Sequence, residues 1–191
     1  TGEKSIFVHC VHIDEEEMQV VADTKTVIVH NPESNMNNAV GVTKLLTLLK
    51  KGILVGLGTD GMSSDMLSQM RAAYLLHRLA NLDPRVAFME APQLLLQNNA
   101  DIVERQFGIR VGEIAVGRPA DLAIMDYCPP TPLSNANFLG HLIFGLVDAT
   151  VDTTVCRGKI LMQGKKIISM DEERIAARSR ELAPCMWKRL Q

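Results

Sequence analysis

Short apolar runs alternate with helical stretches through roughly the first sixty residues. Ser5 to Val8 and Thr26 to Val29 read as short strands, and Ile53 to Leu57 as a buried strand from its length and β-branched content. Between the first two, Asp14 precedes Glu15, Glu16 and Glu17 in a capping-box pattern, with acids at the positive helix N-terminus. That helix should end near Asp23. Before the third strand, Val42, Leu45, Leu46 and Leu49 recur at helical spacing, with Gly52 as the stop. The polar stretch Asn31 to Asn38 is expected to be a loop, either a substrate-binding loop or a connector with Asx turns. Strand and helix thus repeat three times, the spacing of βα units and a parallel sheet.

Further on, Ser64 or Asp65 can cap a helix carrying Leu67, Met70, Tyr74 and His77. Asp83-Pro84 and Ala91-Pro92 each predict a helix start, and Gly108 closes an amphipathic segment from Ala100 to Phe107. Then the texture changes. Ala120 to Asp126 reads as a strand, Cys128 to Pro132 as a linker, and Phe138 to Val147 as an apolar helix. Thr150 to Cys156, Lys159 to Met162 and Lys166 to Ile168 predict a β-meander, with turns at Arg157-Gly158 and Gln163-Gly164. Asp171 caps a last helix, which Pro184 should kink or split.

The 191 residues, 47% hydrophobic and 22% charged, can bury a sizeable core. Only 4% are aromatic while ten are Met, so aliphatic and thioether packing must fill it. A formal charge of -2 leaves no electrostatic footprint for nucleic acid, and no apolar run has the length of a membrane span. The four cysteines, Cys10, Cys128, Cys156 and Cys185, are far apart. That spacing argues against a zinc knuckle or disulfide scaffold and for a reducing, cytoplasmic setting. The chain opens on Thr1 and enters a strand almost at once, so it is expected to be the C-terminal part of a longer protein.

Each of the three strands ends in a residue able to coordinate a metal or move a proton: His9, His30 and Asp60. In parallel α/β folds that edge is where loops converge on a crevice. A lone strand-end Asp is more often a cap, and a lone His more often a bonded structural residue. Three in succession strengthen the functional reading. His9 and His12 are three apart, so on a strand they face opposite sides and make poor co-ligands. This disfavours a self-contained metal site built from His9, His12, His30 and Asp60. His77 and His141 lie on apolar helical stretches and are expected to be packed, and Asp121 to cap backbone.

The segments VHCVHI around His9, VHNPESNMNNAVG from Val29 and LGTDGMSSDM from Leu57 resemble the last three barrel strands of the amidohydrolase superfamily. The resemblance is to its deaminase and chlorohydrolase branch. GEIAVGRPADLAIMDY, from Gly112 to Tyr127, resembles the passage from barrel to small β domain. SNMNN, GTDGMSSDM and GHLIFGL together are most similar to the SsnA-type aminohydrolases. The resemblance implies an α/β fold: strands six to eight of a (β/α)8 barrel over residues 1–111. Residues 112–191 would be part of a small β-sandwich domain with a returning helix and a C-terminal helix. It implies a metal-dependent aminohydrolase acting on C–N bonds of a small nitrogen-heterocyclic substrate, with zinc, or iron, as cofactor. Asp60 would bind the metal and accept a proton, His9 would polarise the attacked group or orient the hydroxide, and His30 and Asn31 would lie beside the substrate. The family's His-x-His and its third His with a following Glu do not occur here. By itself the chain is therefore expected to be inactive and not to retain metal, and to self-associate as a homo-oligomer through open sheet edges. The reading from a different class is a non-catalytic α/β binding or assembly module.

Overall fold

The computed structural model describes residues 1–190, which fall into two compact units. The first comprises Thr1–Arg118 and Tyr127–Ala149. Its centre is a parallel sheet of β1 (Ile6–Val8), β2 (Val27–His30) and β3 (Val55–Leu57), in that order. The register pairs Phe7 with Ile28 and Val29 with Gly56. Helix α1 (Glu15–Asp23) connects β1 to β2. It starts with a complete capping box: Asp14 accepts from the Glu17 N–H at 2.8 Å, and Glu17 accepts from the Asp14 N–H at 3.0 Å. Helix α3 (Leu45–Lys50) precedes β3, and Gly52, at φ +73°, turns the chain after it. Val42 lies outside that helix. The stretch expected as a loop instead forms a short helix, α2 (Pro32–Asn37), because Pro32 sits at its first position with φ already set for a helix.

Helix α4 (Met66–Asn81) is capped by Asp65, which accepts from the Leu67 and Ser68 N–H groups at 2.9 and 3.1 Å. Pro84 does not start a helix. Asp83 there folds onto the N–H and guanidinium of Arg85 and closes a turn. The chain becomes helical at α5 (Glu90–Gln93), passes through a π-helical turn at Leu94–Asn98 and continues as α6 (Asn99–Phe107), closed by Gly108 at φ +69°. The irregular turn directs two successive amides at β3. Asn98 donates to the Val55 carbonyl at 2.6 Å, while Asn99 accepts from the Leu57 N–H at 2.9 Å and donates to its carbonyl at 3.0 Å. The sequence predicts two open edges, but on β3 these amides take the backbone groups that a further strand would use. β1 keeps its exposure: Val8 is 55% accessible.

The core of this unit joins Met18 and Val21 of α1, Ile28 of β2, Val55 and Leu57 of β3, and Met70 and Ala73 of α4. Helix α7 (Phe138–Phe144) adds Leu142 and Ile143. This burial places Tyr127–Ala149 in the first unit, whereas the sequence puts the boundary near residue 111.

The second unit comprises Pro119–Asp126 and residues 150–190. It is one four-stranded antiparallel sheet, β4 (Leu122–Asp126), β5 (Thr150–Cys156), β6 (Lys159–Gln163) and β7 (Lys166–Ile167). Arg157 and Gly158 at φ +47° and +75° make the tight β5–β6 turn, and Asp121 accepts from the Arg157 N–H at 2.6 Å. Helix α8 (Glu172–Trp187) runs on through Pro184, where the sequence predicts a kink or break.

Candidate active site at the strand ends

The residues of interest follow the C-terminal ends of β1, β2 and β3. His9 leaves β1 in a left-handed conformation, φ +65°, and Asp60 follows β3 at φ +51°. Such backbone costs on the order of 1–2 kcal/mol for a non-glycine residue and needs support. For His9 the support is specific: its N–H bonds the Val29 carbonyl at 2.9 Å, and its carbonyl accepts from the Thr43 hydroxyl at 2.8 Å. The two side chains meet, with His9 Nε2 3.7 Å from Asp60 Oδ2. Both are partly open to solvent.

Helix α2 supplies what holds them. Ser34 donates its hydroxyl to Asp60 Oδ2 at 2.6 Å, and Asn35 Oδ1 lies 2.7 Å from His9 Nδ1. Ser34 and Asn35 are themselves buried, so both contacts come from a fixed base. The Ser34 bond, with a second from the Gly61 N–H, holds the Asp60 carboxyl below the usual range. Asp60 is thus an anion at neutral pH.

His30 and Asn31 are placed differently. Both are buried, and His30 is fully so. Its Nε2 lies 3.1 Å from Nε2 of His77 on α4, and its Nδ1 has no hydrogen-bond partner among the described residues. Burial, then the neighbouring His77 and His9, pull the His30 pKa down to about 3; burial takes His77 to about 4. Asn31 packs against Gly58, where an added Cβ would strike its Oδ1. The structure therefore brings His9 and Asp60 together and directs the His30 ring to a buried partner. Three residues at the site carry no individual assignment from sequence, Ser34, Asn35 and Thr43, while His77 is packed as expected. For Ser34 and Asn35 the signal is the run SNMNN, legible only once that segment is known to be helical.

As metal donors, a carboxylate and an imidazole are the right chemistry for zinc. They are too few, since no cluster of three His, Cys, Asp or Glu able to hold an ion occurs among the described residues. His141 lies elsewhere, its ring bonded to Tyr127 and Thr131 at 2.7 and 3.0 Å, and is packed as expected. No helix among the described residues is long and apolar enough to cross a membrane.

Comparison with known proteins adds the following. The profile of the amidohydrolase family matches residues 1–161. A 5-methylthioadenosine/S-adenosylhomocysteine deaminase of Pelotomaculum thermopropionicum is 35% identical over 181 residues, covering 92% of this chain and 41% of the relative. A 5'-deoxyadenosine deaminase of Methanococcus maripaludis is 34% identical, covering 90% and 40%. Among solved structures, an adenosine deaminase from Xanthomonas campestris with bound zinc superposes with a TM-score of 0.80 at 27% identity. It covers 98% of this chain and 43% of that one. Atrazine chlorohydrolase from Arthrobacter aurescens complexed with zinc gives 0.77 at 25% identity, covering 95% and 41%. The chain spans about two-fifths of the length of these proteins.

Proposed function

Because the chain belongs to the amidohydrolase family, we propose that its strand ends form part of a hydrolytic deaminase site. The substrate class is a small nitrogen heterocycle carrying an exocyclic amine, whose C–N bond is cleaved by water. The observation that supports this most is the meeting of His9 and Asp60, 3.7 Å apart, at the C-terminal edge of a parallel sheet. The relatives named as deaminases of adenosine derivatives favour an aminopurine nucleoside.

Asp60 would hold a divalent metal, zinc first, with His9 beside it. The metal, when bound, supplies a water acidic enough to be deprotonated near neutral pH. The chain's own residues do the rest. The anionic Asp60, oriented by Ser34, accepts a proton from the attacking water. His9, fixed by Asn35, faces the same space and interacts with the group under attack. Catalytic zinc takes three protein ligands, so we place the remaining ligands outside these residues and expect the chain alone to be inactive. Self-association through the exposed β1 edge belongs to the same proposal, and a clean monomer on size-exclusion chromatography would refute that part.

The test is a zinc titration of the 191-residue chain followed by NMR. Zinc should move the His9 ring signals, desalting should reverse the change, and Asp60→Asn should abolish it. Signals that stay in place at saturating zinc would overturn the metal reading and favour a non-catalytic binding module.

A further inference from the structure

The bonds around His9 form a closed circuit whose donor and acceptor roles admit one solution. Thr43 has a single hydroxyl hydrogen, and the His9 carbonyl 2.8 Å away can only accept it. The Thr43 oxygen is then left as an acceptor. The Asn35 atom facing it at 3.3 Å must be the donating amide nitrogen, Nδ2. This leaves the Asn35 carbonyl oxygen facing His9 Nδ1 at 2.7 Å, where it can only accept. Nδ1 therefore carries the proton, and in the neutral ring Nε2 carries the lone pair. Asn35 and Thr43 are each 1% exposed, so water does not compete for these bonds.

We propose that Asn35 and Thr43 are positioning residues that lock His9 in its Nδ1–H tautomer, presenting Nε2 toward Asp60 as a proton acceptor. The inference rests on the deaminase reading only for what Nε2 then does. Two acceptors, Nε2 and Asp60 Oδ2, face each other 3.7 Å apart, a geometry that suits a shared proton donor such as a water. Thr43 acts at one remove: its hydroxyl fixes the left-handed His9 backbone and, through the same oxygen, the orientation of the Asn35 amide.

The experiment is nitrogen-15 NMR of the histidine rings in the 191-residue chain at alkaline pH. Neither metal nor substrate is present, so the result is independent of the deaminase reading, which the zinc titration tests. The wild type should show His9 as the Nδ1–H tautomer. Thr43→Val frees the amide to turn over and should give a mixture of tautomers, while Thr43→Ser restores the wild-type signature. Asn35→Asp keeps an acceptor at Nδ1 and should keep the tautomer. Dispersed amide spectra verify folding in each variant. A wild-type Nε2–H tautomer, or a Thr43→Val variant indistinguishable from wild type, would overturn the proposal.

Discussion

Ser34 and Asp60 make the smallest unit with a consequence of its own. The Ser34 hydroxyl is the largest influence holding the Asp60 carboxyl below its ordinary value, ahead of the Gly61 N–H and against a small opposing effect of burial. In the metal-free chain, Ser34→Ala should therefore raise the Asp60 pKa toward that of a free carboxylate. Carbon-13 titration of the side chain reads this directly, and an unchanged titration would show that the Gly61 N–H suffices. The sequence exposes His9 and Asp60 because each follows an apolar run. It hides Ser34 and Asn35 because their roles exist only when α2 is helical and turns both toward strands 26 residues away in sequence. The surroundings of His30 are hidden for the same reason. Its position at a strand end is plain in the sequence, but its partner His77 lies 47 residues away on α4.

At the scale of elements, local periodicity carried most of the information. The three parallel strands, α1 with its capping box, α4 behind Asp65 and the β-meander all follow from spacing and turn chemistry within about a dozen residues. The long-range pairing of α6 with β3 does not. Its origin is the π-helical turn that aims Asn98 and Asn99 at the strand, with Gly56 opposite them. A Cβ at Gly56 would lie 2.5 Å from both Asn99 Oδ1 and Ile102 Cδ1. Asn99 can give way only by releasing the Leu57 N–H and carbonyl that its amide holds. Gly56→Ala should thus destabilise the chain by about 1–3 kcal/mol, typical of overpacking. Denaturant unfolding measures it, and a change near zero would mean that α6 shifts freely. Pro84 and Pro184 show the converse limit: a proline marks where a helix can begin or break, yet no helix begins at the first and α8 does not end at the second.

For the molecule as a whole, the buried His30–His77 pair ties global stability to pH. Both rings are neutral in the folded state because burial, first of all, disfavours their charged forms; His9 and His77 add repulsion at His30. Unfolded histidines titrate near 6.5. Between that value and the folded values of about 3 and 4, the unfolded chain binds more protons than the folded one. Stability must therefore be fully present above pH 6.5 and fall as the solution is acidified. Each histidine contributes about 1.4 kcal/mol per pH unit once well below its unfolded pKa, so the pair together removes on the order of 3–4 kcal/mol by pH 5. The depressed carboxylates Glu3, Asp60, Asp65, Asp83 and Asp126 lose their contributions only at lower pH, below the unfolded carboxylate range. They therefore do not obscure this window. His77→Gln removes one titrating ring and keeps a polar group facing His30. Its unfolding free energy should fall between pH 7 and pH 5 with roughly half the wild-type slope. Equal slopes in the two proteins would show that these histidines take up protons without unfolding the core. The buried pair would then have a route to water that its burial does not suggest.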